Sequence, residues 1–251
     1  MLSNKAKKLI KEYLNLPFKN KTGIKCPYFN NAKLQERAGL RGLIGKGTPQ
    51  EIVEETFIKA KQYNFDIKNS SIDKVKKFLV ENNLGIECSG FVVHVLNKHF
   101  KENKKINLIR KINIPTKNII RKLIVKLRPI ENINVEVLSN DKNSKIIKNI
   151  KEAQAGDIII LKDIKQYHNA RNHVILITEN KNNTITYIHS RTWSTEGKYD
   201  HGVTYGKIII TNPNSNLLNQ NWIEKEKQGN ENETFNEVKN AKILELRRIT
   251  I

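Results

Sequence analysis

The sequence predicts an α+β fold, with helices packed on a mainly antiparallel sheet. Three observations carry this. Up to about residue 128, apolar residues recur at helical spacing between capping residues. From residue 157 onward, short runs rich in isoleucine, valine and threonine alternate with polar turns. The two patterns are segregated along the chain, which selects α+β over an alternating parallel arrangement.

The helical half begins with an amphipathic stretch that sets Leu9, Ile10, Tyr13 and Leu14 on one face. Thr48-Pro49-Gln50-Glu51 is a capping box with proline in the first turn, and it predicts a helix to about Tyr63. Ser70 and Asp73 predict a second start, with Val75, Phe78, Leu79 and Leu84 as apolar positions and Gly85 as the stop. A third helix is expected to open at Cys88, and a more basic fourth follows Pro115. The strand half reads as 157–161, 173–178, 184–189, 207–211 and 242–249, with a mobile polar loop from Gln228 to Glu237.

The domain reading is a helical extension over residues 1–70 and a catalytic domain over 71–251, carrying a basic helical insertion near 104–150. No run of eighteen apolar residues offers a membrane span, and the lysine-interrupted start, MLSNKAKKLIKEYLNLPF, is no secretory signal. A cytoplasmic location is the default expectation, with unconventional export as the other route. Lysine and arginine number 45 against 25 acidic residues, a formal charge of +20. Scattered lysine from compositional drift accounts for much of that; its functional reading is attraction to an anionic polymer or surface. The densest basic stretch, Lys98 to Arg128, has no aromatic residue after Phe100, which disfavours base stacking. Two cysteines make no disulfide framework, and His94 and His99, five apart, have no ligand spacing, so neither a metal nor a cofactor is expected.

Chemistry concentrates at Glu87-Cys88-Ser89-Gly90. A thiol in the first turn of a helix meets the positive end of the macrodipole, which favours the thiolate. Free amides there can face an oxyanion, and Gly90 admits close approach of another backbone. The competing account is a small buried thiol under a helix. Bases come from the strands. His173 opens HVILIT and His189 closes TITYIH, and a turn centred on Lys181 would set the two directly opposite each other on one face. A register slip of one residue would separate them. Cys88 is then the nucleophile, His173 the proton acceptor and later donor, and His189 the residue that orients it. His168 is a reserve base, and His201 would be tested next. The loop after His189, with Arg191, Trp193, Tyr199 and His201, is rich in ligand-binding groups. Trp222 and Cys26 read as core residues.

The order of ECSGFV, AGDIIIL, NHVILIT and YIHS resembles the NlpC-type family of papain-like cysteine peptidases. The matching residues are Cys88, Ser89, Gly90, Phe91 and Val92; Gly156 and Asp157; His173 and Val174; and Ile188 and His189. Glu87 and Ala155 depart from the family's usual aspartate and proline, and the likeness covers roughly 85–190. The usual tyrosine–glycine segment before the cysteine has no clear counterpart; Leu43–Gly47 is a distant stand-in. The resemblance implies a papain-like core and hydrolysis of an amide bond in a peptide or peptidoglycan fragment through Cys88, His173 and His189. Ser89, Arg191 and Trp193 are the candidate substrate contacts, with the Arg191 fork holding a substrate carboxylate. The alternatives are a thiol acyltransferase, a non-wall amidase, or a basic nucleic-acid- or anion-binding protein that uses no thiol chemistry.

Overall fold

The computed structural model describes residues 1–31, 40–116, 118–166 and 169–251. Its helices are α1 (Asn4–Leu14), α2 (Pro49–Gln62), α3 (Ile72–Glu81), α4 (Cys88–Lys104), α5 (Leu108–Lys111), α6 (Ile119–Leu127), α7 (Val135–Leu138) and α8 (Glu233–Asn240). Eight strands follow α7: β1 (Ser144–Ile146), β2 (Ile158–Gln166), β3 (Asn169–Lys181), β4 (Thr184–Arg191), β5 (Gly202–Ile209), β6 (Asn221–Glu224), β7 (Lys227–Gln228) and β8 (Ile243–Ile249). They form one open antiparallel sheet in the order β1-β8-β2-β3-β4-β5-β6-β7.

Alternation along the strands divides the core. Val174 and Leu176 of β3, with Ile188 and Val203, face the side carrying α4, whose Phe91, Val92 and Val95 are fully buried. Ile175 and Ile177, with Tyr187 and Trp222, face the side covered by α8. Both faces of the central strands are therefore dry, which explains why they read as near-continuous apolar runs. α1 lies on α4, with the Tyr13 ring edge-on to Phe91 at 5.3 Å. Leu9, Ile10 and Tyr13 are buried as the periodicity predicts, and Leu14 is half-buried.

The capping box at Thr48 and Glu51 forms as expected. Three other expectations need correction. The cap of α3 is Ser71, not Ser70. That helix stops at Glu81, before Leu84 and Gly85. Gly85 instead lets another segment pass: a Cβ there would lie 2.5 Å from the Pro27 carbonyl oxygen. Residues 228–237 are not a loop. They form β7, a turn and the start of α8, whose Asn232 side chain caps the Phe235 amide. β1, β6 and β7 span only two to four residues, too few for an alternation to be read. Among the described residues, no helix is long and apolar enough to cross a membrane.

Candidate active site

The start of α4 is locked by groups from upstream. Glu87 holds the N-cap position, yet its carboxylate makes no cap hydrogen bond to the backbone. It pairs instead with buried Lys46 at 2.5 Å and accepts a very short hydrogen bond from Ser89. Lys46 Nζ also donates to Ser89 Oγ (2.8 Å) and to the Ile133 carbonyl (2.6 Å), so the buried ammonium is fully partnered. The Gly45 carbonyl accepts from the Glu87 amide at 3.0 Å and lies directly over Gly90, where a Cβ would approach it to 2.7 Å. Gly90 thus serves close backbone approach as expected, and the visitor is the Leu43–Gly47 segment.

A second segment reaches the same place from farther upstream. Cys26, Pro27 and Tyr28 thread between Ile86 and Gly202: Ile86 N–H donates to Pro27 O (3.0 Å) and Val203 N–H to Cys26 O (3.3 Å). A Cβ at Gly202 would collide with that Cys26 oxygen at 2.3 Å. Burial, then the potential negative charge of the Cys88 thiol, raise the pKa of the Tyr28 phenol.

The histidines meet through a displaced register. The β3–β4 turn is Asn182-Asn183, both with positive φ, rather than one centred on Lys181. Next to the turn, Lys181 pairs with Thr184 and Glu179 with Thr186. Carried on unbroken, that pairing would set His189 across from Leu176 and put the two histidines on opposite faces. One extra residue, Thr178, bulges out of β3, and beyond it Ile177 pairs with Tyr187 and Leu176 with Ile188. His189 then falls in line with Ile175, two residues from His173 and on its face. The histidines are diagonal neighbours rather than direct partners, and His173 Nε2 lies 2.7 Å from His189 Nδ1.

The register between β3 and β4 ends at Leu176↔Ile188. Cys88 enters where the strands part: the backbone N–H of Val174, the residue after His173, hydrogen-bonds to its sulfur. Among the described contacts, thiol and imidazole share no direct hydrogen bond; one residue of backbone separates their anchor points. Behind His189 stands Glu224 of β6. Its Oε2 lies 3.1 Å from His189 Nε2 and accepts from Tyr187 Oη and Thr234 Oγ1, each at 3.0 Å. Its Oε1 accepts from Arg191 Nε at 2.6 Å.

Electrostatics assign the protons. Burial would raise Glu224, but His189 and Arg191 outweigh it and hold the carboxyl at about 2. Burial lowers His189 against the pull of Glu224. It lowers His173 well below the ordinary imidazole value, helped by His189, Arg171 and Arg191. An ionised Glu224 only accepts, so neutral His189 donates from Nε2 and accepts at Nδ1. His173 must then donate from Nε2, which leaves the lone pair on Nδ1. The thiol departs from expectation. Burial, with Glu87 beside it, pushes Cys88 up to about 12, against the lowering effect of the Val174 amide and Lys46. The helix start does not win here; the resting pair is a neutral thiol and a neutral imidazole.

The remaining sequence-predicted residues are placed as follows. Ser89 is buried and committed to Lys46 and Glu87. Arg191 is 3% exposed, pairs with Glu224 and Glu196, and stacks on Trp193 with 3.9 Å from guanidinium carbon to ring centroid. Its guanidinium faces inward as a brace and is not offered to a solvent-borne carboxylate. Trp193 is buried too, its indole N–H on Thr234. Arg191 and Trp193 thus stand behind His189, joined to it through Glu224 and Thr234, while Ser89 is held at the start of α4; all three are buried and engaged with the protein's own groups. His168 lies outside the described residues. His201 packs edge-on to Tyr28 at 6.4 Å. The loop it belongs to borders an open cavity of about 370 Å³, lined by Lys25, Lys76, Glu196, Tyr199, His201 and Lys225.

Sequence reading missed Tyr28, Lys46, Glu224 and Arg171. Arg171 shares the face of His173 two residues earlier, touches Glu237, and has no partner for its buried Nε among the described residues. Only Arg171 left a signal, as a charge in register with a catalytic candidate. Glu224 sits in a four-residue strand with no pattern of its own, and Tyr28 and Lys46 are brought in from far upstream.

Compared with protein-family models, curated proteins and solved structures, the chain finds no match.

Proposed function

We propose that the protein is a thiol hydrolase that cleaves an amide bond through Cys88, with His173 as base and His189 as the residue that orients it, on a papain-like core. The observation that carries this is the unbroken line His173–His189–Glu224, ending in an ionised carboxylate; it runs on the α8 face of the sheet, and the amide of Val174, next to His173 in the chain, reaches the sulfur of Cys88, which opens α4. A purely structural histidine pair has no need of a carboxylate that fixes both tautomers. The likeness of four ordered motifs to the NlpC-type family supports the same reading and suggests a peptide or peptidoglycan-derived substrate.

In this reading His173 Nδ1 takes the thiol proton as Cys88 attacks the carbonyl carbon. Transfer happens on substrate arrival, because burial keeps both groups neutral beforehand. The imidazolium that forms is stabilised through His189 by Glu224, and its proton goes to the departing amine. A water, activated by the same imidazole, then hydrolyses the thioester. Amides of the first turn of α4 and the Tyr28 hydroxyl are the donors available to the oxyanion.

The test is cleavage of peptides and muropeptide fragments by the full chain. Turnover should be blocked by iodoacetamide, unaffected by chelators, and lost in Cys88→Ala and His173→Ala alike. The two losses should not add, since the groups act as a unit. Full activity in either variant would remove the assignment. Burial of Cys88 favours the second reading, a basic binding protein with a packed thiol; salt-sensitive binding to an anionic polymer that survives Cys88→Ala, with no thiol-dependent cleavage, would decide for it.

A further inference from the structure

The part of the molecule that the chemistry leaves unused is α6, Ile119–Leu127, with the sequence IIRKLIVKL. It buries no residue. Ile119, Ile120, Leu123, Ile124 and Leu127 are 86, 75, 60, 42 and 74% exposed. At about 100° per residue these five fall within an arc of roughly 140°. Arg121 lies beyond one edge of that arc, and Lys122 and Lys126 lie on its other side. The helix holds no acidic residue. Around it, the segment from Lys98 to Arg128 carries eleven basic residues and a single acid, Glu102. Lys98, Lys101, Lys104, Lys105, Arg110 and Lys111 are exposed.

We propose that α6 is a membrane-surface helix that lays its aliphatic face into the interface of an anionic lipid bilayer while its arginine and lysines meet lipid phosphates. A short amphipathic helix with a cationic rim gains from apolar insertion and from charge attraction together. Two other occupants fit less well. A nucleic acid would leave five aliphatic side chains in water and finds no aromatic residue between Lys101 and Arg128 to stack on. A second copy of the chain would press one cationic surface against another, at a cost in like-charge repulsion.

The experiment is co-sedimentation of the full chain with vesicles of phosphatidylcholine alone and of phosphatidylcholine mixed with phosphatidylglycerol. Binding is expected to the mixed vesicles, at least about tenfold weaker to the neutral ones, and reduced by salt. Ile120→Ser/Leu123→Ser, at two exposed positions, should leave the thermal unfolding midpoint unchanged and weaken binding to mixed vesicles at least about tenfold. Lys122→Glu/Lys126→Glu should weaken it comparably. A chain that stays in the supernatant with mixed vesicles overturns the proposal. So does a serine variant that binds like wild type, since attraction would then be general charge alone. A wild-type dimer in lipid-free buffer that the serine variant converts to monomer would assign the face to self-association instead.

Discussion

Cys26 and Cys88 are alike in burial and in being free thiols, and differ in what surrounds them. Both are buried, neither is in a disulfide, and burial raises the thiol of each. Cys26 is fully enclosed; its sulfur lies 3.6 Å from the carbonyl oxygen of its own neighbour, Pro27, and meets the amide of Ile86. Cys88 keeps 7% exposure, opens a helix, and meets the amide of Val174, the residue after His173. Thiol burial therefore does not by itself separate the two cysteines; under the proposed function, the His173–His189–Glu224 line does.

The largest expected effect breaks the pair apart. Cys88→Ala should lower kcat/KM by about four orders of magnitude or more. Cys26→Ala should leave kcat/KM within about twofold and cost roughly 1–2 kcal/mol of stability through a small packing defect. Urea unfolding and steady-state kinetics on both variants read the contrast. Loss of turnover in Cys26→Ala at unchanged fold would erase the distinction.

Glu224 is the next lever, because it marks the Cys88 side of the comparison. Glu224→Gln keeps an acceptor but adds a donor. The amide can give a hydrogen bond to His189 Nε2, which turns that ring over to its Nδ1–H form. His173 Nε2 then accepts, its proton moves to Nδ1, and the base loses the lone pair it would aim at the thiol. An expected loss of about a hundredfold or more in kcat, with KM little changed, follows from a wrong tautomer rather than a missing group. Glu224→Asp should recover part of it. The variant also leaves buried Arg191 with Glu196 alone, so a stability cost of about 3 kcal/mol is expected. A stable Glu224→Gln enzyme with wild-type kcat would show that the carboxylate braces Arg191 and does nothing for the histidines.

These relations divide what the chain states openly from what only folding assembles. The helix at Cys88, the presence of the five longer strands and the candidate status of His173 and His189 are local features, carried by caps, period and β-branched runs, and they were legible; the start of β5 at Gly202, inside the segment read as a loop, was not. The register that joins the histidines was not. Their common face depends on an odd residue, Thr178, whose hydroxyl bonds the Thr186 carbonyl at 3.1 Å. Nothing in Leu176-Ile177-Thr178-Glu179 announces a bulge. Arg191 was misread for a related reason. A guanidinium in a loop-proximal position suggests a ligand contact until Glu224 and Glu196, from elements 33 and 5 residues away, close on it from inside. Helix-start activation of Cys88 failed on magnitude: a partial charge at a helix terminus is a modest term, and removing a thiolate from water is a larger one.

That balance sets the smallest and most discriminating prediction, the pH course of alkylation. If Cys88 were an activated thiolate, its reaction with iodoacetamide would already be on a plateau in mildly acidic solution. A thiol raised to about 12 behaves otherwise: its thiolate fraction grows with every rise in pH across the accessible range. The rate should climb about tenfold per pH unit, without a plateau below about pH 9. Cys88 should still outpace Cys26, because it alone keeps some exposure. Catalysis should not follow that slope. Proton transfer to His173 on substrate arrival needs only a neutral imidazole and a protonated thiol, and that state holds from the depressed pKa of His173 up to the raised one of Cys88. The acid limb of kcat/KM should therefore lie below the ordinary imidazole value, and no thiol limb should appear below the ordinary cysteine range. Mass-spectrometric alkylation rates for both peptides, set against the pH profile of turnover, check this together. Parallel pH courses for alkylation and turnover would mean that the reacting species is a free thiolate and that His173 is not the group that makes it.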